Sequence, residues 1–548
     1  LNRKYFEREA AHIKTTPFGI FVDQAGYLPE SRKIAVLPFE AESFELADES
    51  GSVRYTGKTS YFGKDETSGD DIRLADFSGF REPGKYRVRA EGQLSAQFGI
   101  SESVYDSVLR DTMRAFYYLR CGCALEEKYA LQYVHPACHT SEAVLWDDHS
   151  VRLEVTGGWH DAGDYGRYVT AGACAVGHLL YAYKLFPKAF EKLSLNIPET
   201  GLPDLLAEVK YELDWMLKMQ REDGGVYHKV TTAQHAPFVM PEEDKAQLFV
   251  FKVTTMATAD LAAAAALASG IYRPFDTAFA DKLAEASERA LGWLEANPEF
   301  IGFENPPGCN TGPYGQRDAN SNIFWAYAEA YSLTGDERRH KAMLEMKDKG
   351  FPLTGLGYGE LGGLGALCYL LCERDKDEET ASAFRQAFAD RAARLRSMAD
   401  SCGYGVAMEP YEYCWGSNMN TMKNGMVLAI DDLLSGSSRN RSYAEGQLHY
   451  LLGANALGIS YVTGTGEFRC NYPHLRPAFA DGIEECMPGM VSGGPNRRPG
   501  DPFAYEVIRE GTPPMRCYAD DTSSYSLNEI TIYWNSPTVF LLGYIIGE

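Results

Sequence analysis

The chain reads as a multi-domain protein, a small β-sandwich followed by an all-α domain of barrel or toroid type, and three observations predict this. From Phe18 to about Ile100 the apolar residues fall in short alternating runs separated by Gly, Pro, Asp and Ser turns. From Ser103 onward the apolar period becomes helical, with about a dozen candidate helices. At 548 residues the chain also exceeds one ordinary hydrophobic core.

Each element follows from its residues. Lys33-Ile34-Ala35-Val36-Leu37 and Tyr86-Arg87-Val88-Arg89 alternate at period two and predict strands. Leu205, Leu206, Val209, Leu213, Met216 and Leu217 fall at helical spacing between Pro203 and Gln220, and an alanine-rich stretch at 256–268 predicts a further helix. Segments 135–168, 300–318 and 455–520 are rich in Gly, Pro and aromatics, too long for the connections of a flat bundle, and read as site-building loops. The two domains are placed at 1–101 and 102–548, joined at 99–104 without a flexible linker.

Composition narrows the function. With 53 basic against 76 acidic residues the net charge is −23, which disfavours nucleic acid and anionic lipid and permits a neutral substrate. No apolar run reaches the roughly 20 residues of a spanning helix. The start at Leu1 lacks a charged n-region and an apolar h-region, so an export signal is expected to be absent or already removed. Twelve scattered cysteines do not resemble a disulfide scaffold and are expected to be free or metal-bound.

Gly157-Gly158-Trp159-His160-Asp161-Ala162-Gly163-Asp164 sets two carboxylates three residues apart in a glycine-flanked loop, and Glu529 follows far downstream in Tyr525-Ser526-Leu527-Asn528-Glu529. Neighbouring carboxylates repel unless water, hydrogen bonds or substrate hydroxyls absorb their charge, which suggests acid/base hydrolysis of a sugar chain. In isolation Asp-Ala-Gly-Asp also reads as a turn or a calcium loop, and Glu529 as a solvated helix-end residue.

Together with Tyr461-Val462-Thr463-Gly464, Pro473-His474-Leu475-Arg476, Pro488–Asn496 and Asn528-Glu529, this segment resembles family 9 of the glycoside hydrolases, mostly cellulases. Val22-Asp23-Gln24-Ala25-Gly26-Tyr27 looks like the immunoglobulin-like module that precedes the catalytic domain in one branch of that family. The resemblance implies an (α/α)6 barrel and an inverting hydrolase of β-1,4-glucans, acting on a polysaccharide or cello-oligosaccharide. By resemblance Glu529 is the general acid, Asp164 the general base, and Asp161 helps hold the nucleophilic water.

The apolar residues after Glu529 (Ile530, Ile532, Tyr533, Trp534) are a setting expected to keep its proton. Asp164 must stay ionised, and the accessible amides of Gly157, Gly158, Gly163 and Gly166 suit that. His474 and Arg476 are candidate donors to sugar hydroxyls; the family usually carries a second histidine where Leu475 stands here, which removes a donor. His228 is a candidate of the same sort, or a structural loop histidine. Trp415, in a Trp-Gly-Ser-Asn motif similar to the family's, and Tyr518 are the chosen flat faces for sugar rings, with Trp146, Trp159, Tyr314 and Tyr411 as further candidates. Trp215, Trp293 and Trp325 read as core.

Cys121, Cys138, His139 and His160 form a Cys2His2 set suited to tetrahedral zinc, although the first two lie 17 positions apart, unlike a zinc finger. Branch members with the N-terminal module bind zinc through cysteines and histidines in this region, and four protein ligands make such a zinc structural. Cys123 is the spare thiol, read as buried. The family's calcium loop is less complete: Ser321 and Asn322 replace its acidic pair, leaving Asp318 and Asn320.

The leading expectation is an endoglucanase. Exo-acting members (cellobiohydrolase, β-glucosidase or exo-glucosaminidase), a zinc-dependent hydrolase using metal-bound water, and a non-catalytic carbohydrate-binding protein are the alternatives. A polymeric substrate implies a secreted or periplasmic location, and a monomer is expected.

Overall fold

Period-two alternation builds the first module as expected. The computed structural model describes residues 16–547, so residues 1–15 of the predicted 1–101 domain, and Glu548, lie outside the described residues. Strands β1 (Gly26–Tyr27), β2 (Ile34–Leu37), β3 (Ser43–Asp48), β4 (Val53–Lys64), β5 (Asp71–Asp76), β6 (Gly84–Ala90), β7 (Gln93–Leu94) and β8 (Phe98–Ile100) follow in order. The long β4 serves two sheets, since Val53–Lys58 pair with β3 and Thr59–Lys64 with β5. The strand order is β1-β8-β6-β3-β4-β5-β2, with β7 beside β6. Leu37, Phe44, Leu46, Ala75, Val88 and Phe98 share one buried core. Burying each of the larger side chains stabilises by about 1.5–3 kcal/mol before chain entropy is counted.

Twelve helices of ten residues or more follow among the described residues: α1 (Asp106–Tyr118), α2 (Val169–Leu185), α3 (Asp204–Lys218), α4 (Thr255–Tyr272), α5 (Thr277–Ala296), α6 (Asn320–Thr334), α7 (Glu337–Met346), α8 (Gly362–Leu371), α9 (Glu378–Asp400), α10 (Ser417–Ser435), α11 (Arg441–Leu451) and α12 (Ile532–Gly547). The even-numbered helices are buried on nearly all sides, whereas the odd-numbered ones keep a face that is at least partly exposed. Small side chains explain α4, where the run Ala262–Ala266 lets α2, α5 and α6 pack closely against it. Its start is capped by Thr254, whose side chain accepts from the Ala257 amide.

The chain divides into two compact units. One is Phe116–Arg391; the other joins residues through Ala115 to those from Ala392 onward. Within the second unit the sandwich is bonded to the segment around residues 449–468. Buried Asp23 accepts from the amides of Ala25 and Gly26 through Oδ1 and meets His449 Nδ1 at 2.8 Å through Oδ2. Gln24 donates to the carbonyls of Gly458 and Phe468 and accepts from the Phe468 amide. Only glycine fits at position 26, which has φ +130° and where a Cβ would lie 2.1 Å from the Gly99 carbonyl oxygen. These contacts account for the Val-Asp-Gln-Ala-Gly-Tyr motif. Strand β8 ends at Ile100 and α1 begins at Asp106, with buried Tyr105 donating to the Gly26 carbonyl.

Two predicted loops contain structure that their residues did not announce. Segment 135–168 carries strands β9 (Ala143–Leu145), β10 (Asp148–Leu153) and β11 (Arg167–Tyr168), which with β12 (Lys229–Thr231) and β13 (Phe249–Val250) form a sheet ordered β10-β9-β13-β12-β11. These strands are two to six residues long, too short for alternation to register. Segment 455–520 holds short helices at Arg476–Ala480 and Pro502–Val507. Segment 300–318 is irregular, as predicted.

Candidate active site and metal centre

In the Phe116–Arg391 unit, the loop of Asp161 and Asp164 is closed by backbone pairing and lies immediately before α2. The Asp161 amide donates to the Gly166 carbonyl at 2.9 Å, and the His160 amide to the Leu119 carbonyl at 2.7 Å. Gly157 and Gly158 have φ of +116° and +77°, and a Cβ at Gly158 would press into Trp215. Trp159, offered as a sugar face, is instead core: its indole donates to Glu208 and its amide to Glu212. Trp146 is stacked on Phe251, so it too is spent on packing.

Both aspartates are buried. Asp164 Oδ2 accepts from the Gly166 amide at 3.0 Å and the Tyr168 hydroxyl at 3.2 Å, with His235 Nδ1 at 3.4 Å. A Cβ at Gly166 would fall 2.7 Å from that same oxygen, so any side chain there displaces the carboxylate. Asp161 Oδ2 accepts from the Tyr314 hydroxyl, while its Oδ1 is buried with no hydrogen-bond partner among the described residues. Burial, then the neighbouring charge of Asp164, holds the Asp161 carboxyl well above the usual carboxylate range, and the Tyr314 hydroxyl opposes this.

Tyr314 adopts φ +47°, a left-handed conformation that costs about 1–2 kcal/mol in a non-glycine residue. Its ring lies between those of Tyr168 and Tyr358, with centroids 4.5 and 4.9 Å away. Tyr314, a candidate sugar platform, turns its hydroxyl to the aspartate. His235 and Tyr168 were not anticipated, since neither carries a local signal that separates it from an ordinary loop or strand residue. His228 corrects the expectation of a substrate contact. It is fully buried, donates from Nε2 to the Pro313 carbonyl at 2.8 Å and meets Thr254 Oγ1 through Nδ1, which bears out the structural alternative.

Cys121, Cys138, His139 and His160 come together beside this loop. Their ligand atoms all lie within 4.8 Å of one another and all four residues are buried. Two thiols and two imidazoles so gathered fit a tetrahedral zinc. His139 sits at φ +48° and turns its Nε2 to Asp244 Oδ2 at 3.4 Å, the carboxylate partner that orients a ligating histidine. Cys123 is half-buried and stands outside the set. No disulfide joins the twelve cysteines.

Residues 318–322 do not fit calcium. Asp318 accepts the Asn320 amide, Asn322 donates to buried Asp260, and the Ser321 hydroxyl accepts from the Leu361 amide, so no group of acidic oxygens is gathered there.

In the other unit, Glu529 is half-buried between the short helix Tyr525–Asn528 and α12. Its carbonyl accepts from the Gly493 amide at 2.8 Å, and the His474 amide donates to the Asn528 carbonyl at 2.8 Å, so the Pro488–Asn496 and Pro473–Arg476 motifs both brace it. Trp534 packs on Gly416 and Gly493, where a Cβ would lie 3.0 Å from its ring. His474 donates from Nδ1 to the Thr522 carbonyl at 2.6 Å. Arg476, which begins the short helix Arg476–Ala480, is nearly buried. Trp415 is 49% exposed and its ring lies 5.3 Å from that of Tyr525, which in turn is 5.7 Å from His474. Tyr411 is exposed as well. Tyr518 is a correction: it is buried and its hydroxyl donates to Asn528 Oδ1, so it supports the backbone before Glu529 and presents no face to a sugar. Trp215, Trp293 and Trp325 are core, as read.

The sequence model of glycosyl hydrolase family 9 matches residues 105–542, and that of the cellulase N-terminal immunoglobulin-like domain matches residues 16–95. A cellodextrinase of Butyrivibrio fibrisolvens is 45% identical over 548 residues, covering 96% of this chain and 99% of that protein. The solved structure of an endoglucanase of Alicyclobacillus acidocaldarius superposes with a TM-score of 0.92 at 34% identity, covering 97% of this chain and 100% of the other. A zinc-binding triple mutant of a family 9 endoglucanase, J30, superposes with a TM-score of 0.89 at 36% identity, covering 94% of this chain and 99% of the other.

Proposed function

The chain belongs to glycosyl hydrolase family 9, and on that premise we propose that it hydrolyses β-1,4-glucosidic bonds of cellulose and related β-glucans with inversion, acting within chains as an endoglucanase. The observation that carries the reading is the buried pair Asp161 and Asp164, one of whose oxygens, Asp161 Oδ1, has no partner among the described residues. Such a pair is suited to hold one water and take its proton.

In this mechanism Glu529 delivers a proton to the glycosidic oxygen while Asp164 deprotonates a water that Asp161 also holds. The water attacks the anomeric carbon from the face opposite the leaving group, which requires about 6.5–9.5 Å between the two carboxyls. His474 and Arg476 contact sugar hydroxyls as oxocarbenium character grows, and exposed Trp415 stacks on a ring. The alternation of six nearly all-buried helices with six that keep a partly exposed face supports an (α/α)6 barrel for residues 102–548, behind an immunoglobulin-like module at 1–101.

Cys121, Cys138, His139 and His160 would hold zinc. When bound, it supplies a structural cross-link with no open position for substrate. His160 directly precedes Asp161, so these four residues fix the start of the catalytic loop. A polymeric substrate places the enzyme outside the cytoplasm, secreted or periplasmic, and the acting unit is one chain.

A second reading, preference for short cello-oligosaccharides, is favoured by the 45% identity to a cellodextrinase. End-labelled cellohexaose and carboxymethylcellulose separate the two. The endo reading expects internal cleavage and a viscosity fall that outpaces the rise in reducing ends. Terminal release with viscosity held would establish the second.

A further inference from the structure

Lys229 is fully buried in the same unit as Asp161 and Asp164, and the proposed chemistry gives it no part. Its ammonium donates to Asn305 Oδ1 at 2.8 Å, Thr311 Oγ1 at 3.0 Å and the Gly312 carbonyl at 2.8 Å. These three oxygens are matched to its three N–H bonds, and Cys309 Sγ lies farther off at 3.8 Å. Phe251, Phe303 and Tyr168 surround the charge, with ring centroids 4.6, 5.0 and 5.6 Å away. Burial lowers its pKa to about 8, opposed by Cys309 and Asp164, so the ammonium persists at neutral pH.

The preceding residue holds the next carbonyl. His228 Nε2 donates to Pro313 O, and its ring stacks 4.1 Å from Phe303. Burial lowers its pKa to about 3, which keeps the imidazole neutral. Two consecutive residues of one segment therefore grip two consecutive carbonyls of another. The residue that follows those carbonyls is Tyr314, strained at φ +47° and bonded through its hydroxyl to Asp161. A strained conformation persists only where its surroundings over-determine it. Here the surroundings include the two carbonyl contacts just before it, beside the ring contacts with Tyr168 and Tyr358.

We propose that His228 and Lys229 form a clamp that fixes the loop 305–314 and so sets the Tyr314 hydroxyl against Asp161, making both positioning residues for the water-activating aspartates. The clamp rests on the reading that Asp161 holds the attacking water. It touches no substrate, so its loss lowers turnover and leaves substrate affinity in place. An ammonium is required because each of three separated oxygens needs a donor, and a methionine of similar length supplies none.

The experiment compares Lys229→Met, Tyr314→Phe and the double variant of the full chain on a soluble β-1,4-glucan, with thermal melts to confirm folding. The expected result is a fall in kcat of about 30- to 100-fold for Lys229→Met with KM within about twofold, the scale of a 1 Å misplacement. The double variant should be no slower than the worse single one. Multiplying effects, or a kcat within about threefold of the parent, overturns the clamp. Should Lys229→Met not fold, Asn305→Ala removes one acceptor of the ammonium and is expected to lower kcat about fivefold, again without adding to Tyr314→Phe; an unchanged or additive result overturns it equally. Asp161→Asn separates the two levels. If it abolishes hydrolysis while Lys229→Met keeps kcat within about threefold of the parent, the clamp alone fails; if it leaves hydrolysis intact, the catalytic reading beneath it fails too.

Discussion

Replacing Glu529 with glutamine is expected to slow hydrolysis of an unactivated β-1,4-glucan by about 10³-fold or more, with KM nearly unchanged. An amide has no proton to give, and general acid catalysis contributes about 10²–10⁴ in rate. The fold is expected to survive, because the motifs that brace Glu529 do so through its backbone and that of Asn528. The deficit should depend on the leaving group. An aryl β-cellobioside whose phenolate departs without protonation should recover most of the lost rate in Glu529→Gln. Asp164→Asn should be equally slow on both substrates, because water must still be deprotonated whichever group leaves. Steady-state kinetics on the two substrates check this. Equal losses on both for Glu529→Gln would remove it from the role of proton donor.

Loss of zinc from the proposed Cys2His2 site is the second large expected effect. Chelation, or Cys138→Ser, is expected to lower the melting temperature by about 10 °C, because the binding free energy of a structural zinc is folding free energy. Activity should be lost together with the fold, since segment 119–121 pairs with 158–160 directly before Asp161. Metal content and thermal melts, read beside turnover, decide the matter. Turnover abolished with the melting temperature unmoved would mark the ion as a reactant and restore the metal-bound-water alternative.

The sequence displayed what periodicity and composition control. The strands at 34–37 and 84–90, the helix at 204–218 and the alanine-rich helix at 255–272 follow their patterns because each has a long enough run on one face or buries small residues throughout. The Asp161–Asp164 loop and the Cys2His2 set were legible as motifs, and the structure gathers the four candidate metal ligands within 4.8 Å of one another. Burial was harder to read. Nothing in the residues flanking His228, Tyr518 or Trp159 separates a polar aromatic that faces solvent from one whose polar atom is consumed inside, as the Pro313 carbonyl consumes His228. Lys229 was missed for a related reason. A lysine is expected at the surface, and only tertiary structure brings Asn305, Thr311 and Gly312 around its ammonium. The small sheet of β9 to β13 escaped because its strands are short and drawn from three separate segments.

The proposed division of labour between Asp164 and Glu529 has a stereochemical signature. Proton NMR of the reducing ends formed in the first minutes of cello-oligosaccharide hydrolysis, before mutarotation equilibrates them, reads it directly. A single displacement by water predicts the α-anomer as the first product. A β-anomer appearing first would show a covalent intermediate and a second displacement, and would contradict the assignment of Asp164 as a base acting on water.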